Sequence, residues 1–304
     1  VIKPWCMKVF KFGGASVKDA ASVKNVREIL SHYNGERLCV VLSAMGKTTN
    51  ALEAVADAWI KQDMAAITLL NEIETFHMDI SKELNGAGSK QLKLIIREIR
   101  QLLQSAPPAL YDAAYDLVVS NGELMSTAIV SDYLNLNGLT NQELDARKVL
   151  ITNEAYRNAR VSWEETSGKI RAAFDESNPE QFAPVTVTQG FIGSSTNGHP
   201  VTLGREGSDF SAAIFAYALD AGEMIIWKDV PGVLNADPRH FDDTVLLDLI
   251  SYRDAIELAY FGASVIHPKT IQPLQNKNIP LYVKSFEKPE EKGTLIHSFE
   301  DQPL

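Results

Sequence analysis

Cysteine is scarce in this chain: Cys6 and Cys39 are the two in 304 residues, too few for a disulfide framework and suited to a reducing compartment. Cys39 stands inside the apolar run LCVVLSA and reads as a small core residue. The six histidines form no HExxH pattern and no Cys/His ligand spacing, which leaves a structural zinc site nothing to stand on. No apolar run approaches the roughly 20 residues that a spanning helix needs. The start, VIKPWCMKVF, also lacks the apolar core of a secretory signal. The expectation is a cytoplasmic protein with no membrane partner. Positive charge is short as well, 29 Lys and Arg against 39 Asp and Glu for a formal charge of -10. That balance opposes nonspecific attraction to nucleic acid, and an anionic substrate would need a local positive pocket.

Two familiar nucleotide signatures are missing too. No GxGxxG occurs, against a classical dinucleotide-binding dehydrogenase. Gly46-Lys47-Thr48 in SAMGKTTN imitates the end of a P-loop, but that pattern needs glycine five positions before Gly46, where Val41 stands.

What is present is an ordinary globular mixture, 45% hydrophobic and 22% charged, enough for a substantial core in one large domain or two lobes. Strand-length apolar runs at Lys8 to Phe12, Leu38 to Ser43, Val185 to Phe191, Met224 to Trp227 and Leu281 to Lys284 alternate with segments of helical period. That alternation predicts an α/β fold with a mainly parallel sheet. From Asn50 to about Leu134 the pattern is mostly helical, with Leu92, Ile95, Ile96, Ile99, Leu102 and Leu103 forming a core stripe. Pro107-Pro108 breaks this region, and SSTNGHP (Ser194 to Pro200) predicts a hairpin turn. A lobe boundary is placed near Pro200. MKVFKFGG would make a natural start, which sets Val1 to Cys6 apart, and FEDQPL at the end reads as a linker whose following domain is absent.

Several segments carry candidate chemistry. In VFKFGGASVKD a strand runs into Gly13-Gly14 and a helix whose start is marked by Ser16 and Asp19 at capping-box spacing. The glycines let backbone N–H groups approach an anion, and Lys11 is placed to reach a transferred phosphoryl group. A tight strand-to-helix turn with a solvated lysine fits the same letters equally well. Ser43 and Thr49 follow a strand and offer hydroxyls either to a ligand or to a helix cap. Glu123, in NGELMST, opens a helical stretch as a cap or as a ligand-binding carboxylate. In VTLGREGSDFSAA, Arg205 is suited to hold a carboxylate bidentately, and Asp209 to orient Lys11 or bind the nucleotide's metal. Ser208 is a ligand or a cap. IIWKDVPGVLNADPR ends a buried strand in a polar loop that either decorates the surface or holds a nucleotide between Asp229 and Arg239. His267, in YFGASVIHPKT, is read as a structural hydrogen-bonding residue.

Taken in order, KFGGAS, VLSAMGKTTN, NGELMST, TQGFIG, VTLGREGSDFSAA, WKDVPGVLNADPR and FGASVIHP resemble the aspartate kinase branch of the amino acid kinase family, over about residues 8 to 296. The resemblance implies a three-layer αβα fold with an open, mainly parallel sheet of about eight strands. It implies an N-terminal lobe (1–200, with the helical insertion at about 50–134) for the amino acid, a C-terminal lobe (201–296) for ATP, and a linker (297–304) to an absent regulatory domain. The implied reaction is transfer of the γ-phosphoryl group of ATP, with Mg²⁺, to the side-chain carboxylate of L-aspartate, the first step of lysine, threonine and methionine biosynthesis. A homodimer is implied as well. Carried over by position, Lys11 and Asp209 are the catalytic pair. Ser43, Thr49, Glu123, Arg205, Gly207 and Ser208 would bind substrate, with Glu123 on its ammonium and Arg205 on its α-carboxylate. Gly13, Gly14, Lys228, Asp229, Leu234, Arg239, Ser264 and Val265 would bind nucleotide.

Four positions depart from the family pattern: Ala15 for threonine, Glu206 for glycine, Leu234 for tyrosine, and Ser264 for a second cationic lysine. Lys228, at a position often threonine, or Lys269 is expected to supply that missing charge. The competing readings are a related kinase acting on glutamate and a catalytically silent nucleotide or amino acid sensor.

Overall fold

The computed structural model describes residues 7–175, 183–236, 240–241, 243–260 and 266–299. The chain opens with β1 (Lys8–Phe12), a 3₁₀ turn (Gly14–Val17), α1 (Ala20–Ser31) and β2 (Leu38–Leu42). Five consecutive helices follow: α2 (Thr48–Ile60), α3 (Ala65–Asn85), α4 (Lys90–Leu102), α5 (Tyr111–Val119) and α6 (Asn121–Leu136). The middle of the chain carries β3 (Asn141–Leu144), α7 (Ala146–Val149), β4 (Ile151–Thr152), α8 (Trp163–Ala173) and β5 (Val185–Gln189). Then come the hairpin β6 (Ile192–Ser195) and β7 (Pro200–Thr202), α9 (Gly207–Ala218) and β8 (Glu223–Lys228). The last described elements are β9 (Leu249–Ser251), α10 (Tyr252–Tyr260), α11 (Pro268–Lys277), β10 (Leu281–Ser285) and β11 (Thr294–His297).

Eight strands form one sheet in the order β3-β5-β2-β1-β8-β10-β11-β9. Its neighbours are parallel except for β10 with β11. The strands at its centre are buried on both faces, which is why LCVVL and VTVTQ show continuous burial rather than alternation. Side-chain parity sorts them into two cores. Phe10, Phe12, Val40, Leu42 and Trp227 face the five-helix insertion and α1. Val9, Cys39, Val41, Ile226 and Val283 face the layer containing α9 and α11. This is the three-layer αβα arrangement that the sequence predicts. The stripe Leu92, Ile95, Ile96 and Ile99 lies inside the first core, and Cys39 is buried in the second, its thiol pushed well above its ordinary range by burial.

Two local expectations need correction. Ser16 and Asp19 do not share a capping box: α1 begins only at Ala20, with Asp19 accepting from Ser22 N at 2.7 Å, while the Ser16 hydroxyl donates to the Trp227 carbonyl at 3.4 Å. The chain needs the intervening 3₁₀ turn to climb from the sheet edge to the helix layer. Ser43 and Thr49 cap nothing either, because Lys47 precedes α2 with no side-chain cap and Thr49 is already helical. His267 is structural as expected, its Nδ1 accepting from Lys269 N at 3.1 Å at the start of α11.

The topology determines where a ligand can sit. Gln189, Leu42, Phe12 and Trp227 stand in one row across β5, β2, β1 and β8. The residues after them, Gly190, Ser43, Gly13 and Lys228, therefore open side by side at the carboxyl edge. The connection after β1 leads to α1 on one face and that after β8 to α10 and α11 on the other, so the switch point at which open α/β sheets bind ligands lies between these two strands. The two loops at this edge touch: Gly46 N donates to Gly14 O at 3.0 Å, and a Cβ on Gly14 would stand 2.8 Å from Ala44 O and 3.1 Å from Gly46 O. Gly14→Ala is expected to cost about 1–3 kcal/mol, the usual range for overpacking. Gly168→Ala, where α8 leaves open space, should gain up to about 1 kcal/mol from helix propensity. Urea denaturation of the two variants checks the contrast, and equal midpoints would show that the loops do not need their close approach.

Candidate active site

Lys11 shares its face of β1 with Val9 and so points toward α9. There its Nζ lies 2.6 Å from Asp209 Oδ1, with the two side chains 9% and 1% exposed. Lys228, at the end of the neighbouring β8, approaches the other oxygen, its Nζ 3.6 Å from Asp209 Oδ2. Burial alone would raise the Asp209 carboxyl, but the Lys11 and Lys228 ammoniums outweigh it and hold the group below its ordinary value. A Cβ on Gly13 would touch Lys11 Nζ at 3.4 Å, an ordinary contact.

Glu123 comes from the opposite wall. Gly122 lets the first turn of α6 settle on the loop after β2, where a Cβ would meet Ala44 Cβ at 3.0 Å and Leu52 Cδ1 at 3.2 Å. That approach brings Glu123 Oε1 within 3.2 Å of Ala44 N, which donates to it. The second oxygen, Oε2, is buried with no hydrogen-bond partner. Burial pushes the carboxyl up to about 8 against the smaller pull of Ala44 N–H and the Lys11 charge. Burial thus favours the protonated form, and a cation arriving beside it would favour the ionised one.

These groups line a cleft of about 460 Å³. Of the residues singled out from sequence, Lys11, Gly14, Ser43, Thr49, Glu123, Arg205, Gly207, Ser208 and Asp209 line it. Ser208 is not a cap: α9 begins at Gly207, with Glu206 at the cap position. It is seated by Gly190, where a Cβ would meet Ser208 Cβ at 2.7 Å. Glu206 adopts φ 56, the left-handed geometry for which a glycine is the natural choice. Gly13 and Lys228 border the cleft without lining it. Asp229 is exposed directly after β8, and Leu234 forms an antiparallel bridge with Leu246. Arg239, Ser264 and Val265 lie outside the described residues. Lys269 is turned elsewhere, its Nζ donating to Asn158 Oδ1 at 2.8 Å.

Sequence reasoning passed over Tyr115, Arg157, Phe191 and Thr202, which also line the cleft, and Asp116 beneath them. Asp116 is fully buried and accepts from Thr202 N at 2.9 Å, Thr202 Oγ1 at 2.8 Å and Arg157 N at 3.0 Å. Its only signal was an acidic residue within an apolar helical stretch.

A parallel sheet with two glycine-lined loops and a buried Lys–Asp pair at its switch point describes a class of small-molecule phosphotransferases, and the pattern defining the amino acid kinase family matches residues 7–285. The chain belongs to that family. Within it, the chain is 35% identical over 299 residues to the lysine-sensitive aspartokinase 3 of Escherichia coli (strain K12), covering 97% of this chain and 65% of that protein. It is 33% identical over 300 residues to a chloroplastic bifunctional aspartokinase/homoserine dehydrogenase 1 of Zea mays, covering 95% of this chain and 32% of that one. It thus spans about a third to two thirds of the length of these relatives. The crystal structure of E. coli aspartokinase III in complex with aspartate and ADP superposes with a TM-score of 0.86 at 32% identity, covering 98% of this chain and 66% of that chain.

The raised Glu123 carboxyl has a stability consequence. Between its ordinary value of 4.5 and about 8 the unfolded chain is ionised while the folded one retains the proton, so the native protein loses stability as pH rises through that window. The loss is about 1.4 kcal/mol for each unit by which the two values differ. Glu123→Gln escapes this penalty. Its melting temperature relative to the native chain should climb between pH 4.5 and 8 and then level off; a flat difference would mean the buried carboxyl is ionised throughout.

Proposed function

We propose that this chain is the catalytic part of an aspartate kinase, transferring the γ-phosphoryl group of ATP to the side-chain carboxylate of L-aspartate to give 4-phospho-L-aspartate and ADP. The observation that carries the reading is Glu123 Oε2, a buried carboxylate oxygen with no hydrogen-bond partner, lining the same cleft as the exposed Arg205 and the Lys11–Asp209 pair. A free amino acid answers all three, with its ammonium on Glu123, its α-carboxylate on Arg205 and its side chain directed at the lysine pair. An N-acylated amino acid brings no cation for Glu123. The relatives named for aspartokinase activity, and the one crystallised with aspartate and ADP, support the same choice.

The acceptor carboxylate is already ionised, so no protein base is required; the work is alignment and charge neutralisation. One carboxylate oxygen forms a bond to the γ-phosphorus as the bond to the bridging β,γ-oxygen breaks, and that electron pair leaves on ADP. Lys11 faces the phosphoryl oxygens in transfer. Asp209 holds the Lys11 ammonium in place and, through its second oxygen, draws Lys228 to the same point. Ser43, Thr49 and Ser208 offer hydroxyls to the substrate. Asp229 and Leu234, after β8, together with Arg239, Ser264 and Val265, form the nucleotide side. Among the described residues no group of three or more His, Cys, Asp or Glu is arranged to hold a metal ion, and Asp209 is engaged by two ammoniums. Mg²⁺ would therefore enter on the phosphates of ATP, where it would offset the repulsion between the phosphoryl oxygens and the incoming carboxylate. The amino acid side draws mainly on residues 1–200, with Arg205 and Ser208 reaching it from 201–296, which otherwise carries the nucleotide side, in a cytoplasmic homodimer serving lysine and threonine biosynthesis.

The test is ADP release from Mg-ATP with L-aspartate, L-glutamate or N-acetylglutamate, with any acyl phosphate trapped as a hydroxamate. Aspartate alone is expected to give both signals, and Lys11→Ala to abolish them while ATP still binds. Hydroxamate formed from glutamate instead would change the substrate, and ligand binding without turnover would indicate a sensor. Lys228 is expected to be the second cation. Lys228→Ala should lower kcat about 100-fold, the scale for removing one group that stabilises transition-state charge, and Lys269→Ala should stay within about twofold, as for a residue outside such a site. Equal rates in the two variants would sink that assignment.

A further inference from the structure

We infer that Arg157 is a second carboxylate-binding guanidinium of the amino acid subsite, forming with Arg205 a two-armed clamp on the substrate's α-carboxylate; this rests on the aspartate kinase reading above. Three observations carry it. The first is position. Arg157 lines the same cleft as Arg205 and Glu123, and the two arginines belong to different segments, the loop between β4 and α8 and the turn before α9.

The second is backbone strain. Among the described residues six that are not glycine adopt a left-handed backbone, and three of them, Arg157 (φ 62), Phe191 (φ 66) and Glu206 (φ 56), line this cleft. Such a conformation costs about 1–3 kcal/mol and persists where surrounding structure enforces it, typically at ligand sites. An arginine has no local reason to stand where glycine would be easier.

The third is preorganisation. Asp116, fully buried, fastens Arg157 N with the same carboxylate that holds Thr202 N and Oγ1, and Thr202 leads within three residues to Arg205. The Arg157 carbonyl also packs on that connection, 2.9 Å from where a Cβ on Gly204 would lie. One buried anion thus holds both arginine-bearing segments. The Arg157 guanidinium itself lies over the Tyr115 ring, 4.2 Å from its centroid, another residue of the cleft. Its acidic neighbours, Glu53 and Asp112, stand at 3.7 and 3.5 Å, longer than the roughly 2.7–2.9 Å of a tight charge-assisted hydrogen bond. The side chain is 41% exposed. It is steered by loose ion pairs, not consumed by them, and a carboxylate entering the cleft competes for the same N–H groups at shorter range.

The experiment is Arg157→Gly, which removes the guanidinium and relieves the left-handed backbone, so folding is not put at risk. The melting temperature should hold or rise. KM for aspartate should increase about 10-fold, as for loss of one partly exposed charge-assisted contact, with kcat within twofold and KM for ATP unchanged. The salt dependence of the aspartate KM should flatten. Arg157→Lys keeps the charge but not the planar fork and should fall between. An aspartate KM unchanged in Arg157→Gly, or a fall in kcat and melting temperature without a KM effect, overturns the clamp and leaves Arg157 a brace. Absence of aspartate turnover in the native chain would overturn the aspartate kinase reading, and the clamp with it.

Discussion

An ion pair sealed between two layers of the fold is the constraint around which the rest is arranged. Lys11 belongs to the central strand and Asp209 to the helix packed on that strand's face, and both are almost excluded from water. Dehydrating two charges costs several kcal/mol per ion, and a pair in such a place adds little or nothing to stability over an apolar pair of the same volume. The neighbouring sequence accommodates that expense. Ser211, Ala212 and Ala213 follow Asp209 into α9 and let the helix lie close on β1 and β2, while Gly207 and Gly190 remove the side chains that would block its first turn. A charge placed there at such cost serves chemistry, not folding.

Much of the frame was legible because it rests on pattern. The strand candidates fall within a residue or two of the observed elements, since continuous apolar runs between turn formers have few other uses in a chain of this composition. The helical insertion and the hairpin at SSTNGHP were readable for the same reason. The short edge strands β3 and β9, and β11 beside β9, were not. Their sequences NQEL, LIS and TLIH are too brief or too polar to show a period, and it is the pre-existing edge that recruits them. The Ser16–Asp19 capping box failed for a related reason: the spacing was present, but the climb from the sheet edge into the helix layer takes Ser16 into a 3₁₀ turn and delays the helix until after Asp19.

The site divides along a similar line. Lys11, Glu123, Arg205 and Asp209 could be singled out because each lies within two residues of a glycine at a strand end, in a turn or in the first turn of a helix, where a charged side chain has a local reason to approach a ligand. Asp116 and Arg157 had no such neighbourhood, and Thr202, though close to Gly204, carries no charge to single it out. Their grouping depends on α5, the β4–α8 loop and β7 arriving at one point, a long-range property that no window of sequence contains. The departure at Glu206 became intelligible only with its backbone angle, because substitution in the resembling motif left the left-handed geometry in place and changed only what it carries.

The cleft also sets two carboxylates in opposite states by environment alone. Asp209, although wholly buried, stays ionised because two ammoniums stand against it; Glu123, equally buried, is pushed toward its neutral form because one of its oxygens faces no donor. The first is a fixed anion, whose charge is already spent on holding lysines. The second is a latent one, released only when a cation arrives to compensate it. A ligand carrying an ammonium therefore gains more from Glu123 than an isosteric neutral ligand does, because it alone recovers the burial penalty of the carboxylate, whereas an additional anion gains nothing from Asp209. A preference for ligands that carry an ammonium thus follows from the difference in burial partners of two chemically similar side chains, and it requires no further recognition element at the ammonium end.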